Sequence, residues 1–187
     1  MKTLIITAQP SSKGFVHTIA SQYLGTKNNT ETTAEIINLY DEQYQIPFLK
    51  FEDAREIENS ETVKKLQNKI ADADELVFIF PLWWGSMPAI LKNFFDNVFS
   101  SGFAFTYENG RPTALLTEKT AKIITTYDAP SWAYLFTSFP IKKLLKNNIL
   151  GFCGIKTTDF LDFGSIGKAS ESDKKEIIKK ITTLALQ

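Results

Sequence analysis

The chain has 187 residues, 21 basic and 21 acidic side chains, one cysteine and one histidine. The length suits one domain, whose core buries roughly 70 % of the unfolded chain's surface, and a formal charge of zero argues against nucleic acid as the main partner. Cys153 alone makes no internal disulfide or zinc site and His17 alone makes no His-rich metal site, so no metal is expected and any hard chemistry points to a borrowed cofactor.

The opening MKTLIITAQP is too short for a signal segment or a membrane span, which predicts a soluble, cytoplasmic protein with no membrane insertion. Leu4, Ile5 and Ile6 read instead as a buried strand. Residues 15–27 follow with Val16, Ile19, Ala20, Tyr23 and Leu24 at helical spacing. Residues 32–39 are a second strand, and 41–59, rich in acids and holding Pro47, a long surface connection. Val63, Leu66 and Ile70 make one helical stripe over 60–72. ELVFIF, 75–80, is apolar throughout, as a parallel strand covered on both faces should be. The next helix carries Met87, Ile90, Leu91, Phe94, Phe95, Val98 and Phe99 on one side, with Ser86 predicted as its cap and Pro88 in its first turn. Residues 102–119 read as an extended loop or hairpin, 120–126 as a strand, 141–150 as helical and 154–163 as a fifth strand. Ser170 begins a last helix with Ile177, Ile178, Ile181, Leu184 and Ala185 inward.

Strands and helices therefore alternate. Right-handed crossovers then give an α/β three-layer sandwich, a five-stranded parallel sheet of order 2-1-3-4-5 in a single domain over 1–187. Ligands of such sheets sit beyond the carboxyl ends of the strands, so three loops matter most. AQPSSKGF sets Ser11, Ser12, Lys13 and Gly14 before a helix, an anion site or an ordinary N-cap turn; neither a P-loop nor a Rossmann fingerprint is present. PLWWGSMP places Trp83 and Trp84 in sequence, and neighbours cannot both point inward. One is expected to pack while the other walls a planar ligand or meets a partner subunit. TTYDAPSWAY offers Thr125 and Thr126 to polar ring atoms and Tyr127, Trp132 and Tyr134 as walls, while Asp128 with Pro130 also reads as turn chemistry. His17 taken alone reads as a solvated or helix-packed histidine, and Cys153 as a buried, inert thiol.

Together these segments resemble the flavodoxin-like NAD(P)H:quinone oxidoreductase family, the DT-diaphorase relatives. FPLWWGSMPAILKNFFDNVFSSGFAFTY, 80–107, is similar almost position by position to the family's strand, PLxW loop, PAILK helix and GFAF-x-Y loop. LIITAQPSSKGFVHTIA, TTYDAPSWAY and LGFCGI extend the likeness over nearly the whole chain. The resemblance implies a flavin, FAD or FMN, with NAD(P)H as co-substrate. It sets Gln9, Ser11, Lys13, Phe15 and His17 near the phosphates or ribityl chain. Pro81, Leu82, Trp83 and Trp84 would line the isoalloxazine, and Thr125, Thr126, Tyr127 and Asp128 its polar edge. Homodimers with sites at the subunit interface are common in the family, and Phe105 and Tyr107 match loop positions that reach the partner's site. The pattern departs at Gln9, which holds a histidine's place, at Val16, at Tyr127–Asp128, which replace a glycine pair, and at the active-site histidine, which has no counterpart.

The implied activity is ping-pong, two-electron reduction of quinones or similar aromatic acceptors. Trp84, Phe105, Tyr107 and Trp132 would bind substrate, with Tyr134 or Tyr127 donating a hydrogen bond to the acceptor. Backbone N–H groups near Trp84 and Gly85 would stabilise reduced flavin. The same likeness also leaves open a regulatory subunit of a potassium efflux system or a redox-sensing partner, and, less well matched by a neutral chain, a flavodoxin-type electron carrier.

Overall fold

The computed structural model describes residues 1–53, 58–130, 132 and 139–187. Its main sheet joins β1 (Lys2–Thr7), β2 (Thr33–Asn38), β3 (Glu75–Pro81), β6 (Thr120–Thr126) and β7 (Lys156–Phe163) in the order β2-β1-β3-β6-β7. All four pairings are parallel. Counted along the main sheet this is the expected 2-1-3-4-5, because β4 (Phe105–Glu108) and β5 (Arg111–Ala114) form a separate antiparallel hairpin.

Side-chain alternation sorts the core into two layers. Ile5, Val77, Ile79 and Ile124 point to one face and are covered by α1 (Phe15–Asn28) and α5 (Glu171–Ala185). Leu4, Ile6, Phe78, Phe80 and Ile123 point to the other, beneath α2 (Glu61–Asp72), α3 (Ala89–Val98) and the helical run formed by α4 (Phe139–Lys143) and a π-helix, Leu144–Leu150. Every residue of β3 is buried, which explains its unbroken apolar run.

The helix ends follow their caps. The Ser60 hydroxyl accepts from the Val63 N–H, and Ser170 makes a reciprocal capping box with Asp173. The expected Ser86 cap is corrected. Ser86 is held in a turn with Trp83, so α3 begins two residues later, with Pro88 at its N-cap. The 41–59 connection is irregular apart from a 3-10 turn, Glu42–Tyr44, in its described part. The Asn93 amide in α3 pins it by donating to the Ile46 carbonyl at 2.7 Å.

Candidate functional site

The sheet order reverses between β1 and β3, and the loops leaving β1, β3 and β6 meet at their carboxyl ends. The β1 loop starts where the Ala8 N–H donates to the Ile79 carbonyl. Ser11, Ser12 and Lys13 are exposed, and the Gly14 N-cap of α1 has no side-chain bond and no acid in the first turn behind it. The positive end of the helix is therefore open to an anion. The Gln9 side chain lies over Gly14, so a Cβ there would meet it at 2.7 Å. Phe15 packs partly against the core under α1. His17 is half-buried, and its Nε2 is buried with no hydrogen-bond partner among the described residues.

The β3 loop is a tight reversal. The Trp83 N–H donates to the Ser86 carbonyl at 2.9 Å, and the Ser86 N–H returns a bond to Trp83 at 3.0 Å. Trp84 (φ 52°) and Gly85 (φ 71°) both occupy the left-handed region, the signature of a two-residue I′ turn. This corrects the expectation that one tryptophan packs inward, since the reversal projects both outward. Trp83 is 42 % exposed and Trp84 wholly so. Pro81 and Leu82 are instead buried, Leu82 within the core and bonded through its N–H to the Thr126 carbonyl at 2.7 Å. The two tryptophans alone are the exposed aromatic surface of this loop.

At the end of β6, Thr125 and Thr126 are buried, and Thr125 Oγ1 has no partner among the described residues. Tyr127 is also buried, with its hydroxyl donating to Asp162 Oδ2 at 2.9 Å. As a wall or acceptor-facing acid it is thus differently placed from expectation, because its ring joins the core and its proton faces a carboxylate. Asp128 Oδ1 accepts from the Gly167 N–H at 2.8 Å, a long-range contact rather than the local turn bond expected with Pro130. Trp132 is 70 % exposed. Tyr134 lies outside the described residues. On the hairpin, Phe105 packs edge-on to Phe152 at 5.0 Å, and Tyr107 is 61 % exposed. Cys153 is buried, which pushes its thiol up to about 11.

A flavin combines a phosphate, a hydroxylated chain, polar ring edges and a large planar face. This end of the sheet offers an uncapped helix start beside Lys13, two buried polar atoms lacking partners and two outward tryptophans. In native structures a buried polar atom without a partner calls for an explanation, and a polar ligand edge would supply one. The residues present therefore fit the group. A cavity of about 600 Å³ beneath the 46–60 connection suits it less well. Its described lining carries Glu52, Asp53 and Glu58 against Lys50, a rim that repels phosphate.

Comparison with known proteins gives the family. A family model described as flavodoxin-like fold matches residues 1–184. The chain is 30 % identical to a protein named an uncharacterized NAD(P)H oxidoreductase of Haemophilus influenzae, over 96 % of this chain and 91 % of that one. It is 31 % identical to an FMN-dependent NADH:quinone oxidoreductase of Clostridium perfringens strain SM101, over 85 % and 83 %. Among solved structures, Smu.1420 from Streptococcus mutans UA159 superposes with a TM-score of 0.84 at 32 % identity, over 99 % of this chain and 98 % of that chain. The chain belongs to the flavodoxin-like family that contains these oxidoreductases.

Proposed function

We propose that this single domain is an FMN-dependent NAD(P)H oxidoreductase that reduces quinones or similar aromatic acceptors by two electrons. The observation that carries the reading is the outward tryptophan pair at the end of β3, set among polar atoms that lack partners at the ends of α1 and β6. The names of the relatives supply the NAD(P)H and quinone chemistry, and one of them supplies FMN.

The β1 loop holds the phosphate. Lys13 brings charge, Ser11 and Ser12 bring hydroxyls, and the uncapped amides of α1 bring the dipole's positive end. His17 Nε2 and Thr125 Oγ1 would hydrogen-bond polar atoms of the same ligand, which would satisfy both. Trp84 and Trp83 stack against its planar rings and keep water from one face. A flavin held by these residues would supply the two-electron redox chemistry between nicotinamide and acceptor. The backbone N–H groups of the Trp84–Gly85 turn stabilise negative charge beside them. Trp132 and Trp84 offer exposed aromatic faces on which the planar donor and acceptor would bind in turn, which supports ping-pong kinetics.

The exposed aromatic side chains Trp84, Tyr107 and Trp132, with Leu115, support a homodimer whose sites lie at the interface. A lone, buried thiol suits the cytoplasm.

Purification followed by absorbance and mass spectrometry tests the cofactor, and NADH or NADPH oxidation with a quinone tests the reaction. Bound FMN with multiple turnovers is expected, along with parallel initial-rate lines. A protein that takes up no flavin when FMN is supplied, and turns over no quinone, overturns the reading.

A further inference from the structure

Five hydrogen bonds lace the loop leaving β6 to the end of β7 and the loop that follows it. The Tyr127 N–H donates to the Phe163 carbonyl at 3.0 Å, which adds a rung to the β6–β7 ladder. The Ile166 and Ser165 N–H groups then donate to the Tyr127 and Ala129 carbonyls, each at 3.1 Å. Two side chains complete the set. The Tyr127 hydroxyl donates to Asp162 Oδ2 at 2.9 Å, and Asp128 Oδ1 accepts from the Gly167 N–H at 2.8 Å.

Conformation and close approach both show that this contact is specified. Ser165 is held at φ 57°, a left-handed conformation that non-glycine residues rarely adopt without surrounding support. At Gly167 a Cβ would meet Asp128 Oδ1 at 2.8 Å, so the carboxylate has come as near to the backbone as glycine allows. In the β1 loop beyond Ala8, by contrast, the hydrogen bonds seen among the described residues are its own short turns, Gly14 N–H to Ser11 carbonyl and Lys13 N–H to Ser11 Oγ. One rim of the open end is therefore braced by side chains from two strands' loops, and the opposite rim is left to be shaped by what binds there.

The geometry points to Tyr127, Asp128 and Asp162 as a side-chain staple that holds the β6 loop in its ligand-ready conformation. They are positioning residues. They act through the backbone of residues 126–130 and make no contact with the reacting atoms. The inference rests on the flavin reading, because a preformed rim lowers the ordering cost of binding the cofactor. Loosening the staple makes that cost part of every binding event, so affinity falls while the fold persists.

The test compares parent, Asp128→Ala, Asp128→Asn and Tyr127→Phe. It measures FMN dissociation constants, unfolding midpoints of the apoprotein, and amide exchange at Ser165, Ile166 and Gly167. Asp128→Ala and Tyr127→Phe should each weaken FMN roughly tenfold, the scale of one hydrogen bond to a charged group. They should also speed exchange at those three amides and leave the midpoint nearly unchanged. Asp128→Asn keeps the accepting oxygen and should retain parental affinity. FMN affinity within twofold of the parent for both staple variants overturns the inference. So does a midpoint that falls in step with affinity, which marks a general loss of stability, or an Asn variant as weak as the Ala one. A parent that binds no FMN removes the flavin reading and the staple's role toward it, and unchanged exchange in the variants separately shows that no staple exists.

Discussion

Lys122 Nζ lies 3.0 Å from Glu75 Oε1, with both side chains inside the core. The same carboxylate has Lys27 Nζ at 3.4 Å and accepts from Thr3 Oγ1 at 3.0 Å and from the Tyr23 hydroxyl at 3.2 Å. Lys122 also donates to the Leu184 carbonyl at 3.0 Å. One glutamate at the start of the central strand thus ties β1, β6 and α1 together and, through Lys122, the end of α5. It sits at the amino end of the strands, the end of the sheet opposite the proposed flavin site, so its role is in the fold.

Replacing Glu75 with Gln should therefore cost stability without removing the site. Taking one partner from a buried ion pair leaves charge uncompensated, at about 3–5 kcal/mol. Denaturant unfolding at neutral pH should show a midpoint far below the parent's, and a change under about 1 kcal/mol would contradict the assignment.

The same group sets an acid dependence. Burial pushes the Glu75 carboxyl up, but the charge and hydrogen bond of Lys122, then Lys27 and Thr3, outweigh it and hold the carboxyl below the ordinary carboxylate range. A depressed carboxylate contributes stability that is whole above its unfolded-state pKa and is lost as pH falls through the folded value. The stability gap between parent and Glu75→Gln should be widest near neutral pH and narrow below about pH 4.5. A gap that is constant down to pH 3 would show that another group carries the linkage.

The five main strands and the three-layer order were legible because each strand is an apolar run and each longer helix has one apolar stripe. Details set by single backbone conformations were not. Trp84–Gly85 and Asn109–Gly110 are both I′ turns with left-handed residues. The Asn-Gly pair was a readable hairpin signal, whereas a Trp-Gly pair is not one, so the outward path of both tryptophans was hidden. The π-helix Leu144–Leu150 keeps an ordinary helical apolar pattern and is betrayed only at its end. There the Gly151 N–H donates to Lys146, five residues back, and a Cβ on Gly151 would meet that carbonyl oxygen at 2.5 Å. The roles of Asp128 and Tyr127 were equally hidden, because their partners Gly167 and Asp162 lie 39 and 35 residues further along the chain.

His17 separates binding from folding. Its buried Nε2 has no partner among the described residues, so it costs the apoprotein a desolvation penalty of about 1–3 kcal/mol that a ligand would remove. His17→Leu should leave the apoprotein at least as stable as the parent in thermal unfolding and weaken FMN about tenfold in a fluorescence titration. Parental FMN affinity with lowered stability would place the histidine in the fold alone.

Trp84 gives the sharpest opposition between stability and function. Its side chain is fully exposed and contributes no burial in the isolated chain, while its backbone sits at φ 52°, where a bulky residue is strained by about 1–2 kcal/mol. Asparagine tolerates that conformation and, before Gly85, completes the sequence an I′ turn prefers. Trp84→Asn should therefore raise the apoprotein's unfolding free energy by about 1 kcal/mol, read by denaturant titration. The same substitution removes the aromatic face proposed for the isoalloxazine, so FMN retention or quinone turnover should fall at least tenfold, the scale of losing one aromatic stacking contact of about 1.5 kcal/mol. A variant that is more stable and still fully active would leave the tryptophan to a subunit contact, and one that is both less stable and inactive would show that the ring supports the turn itself.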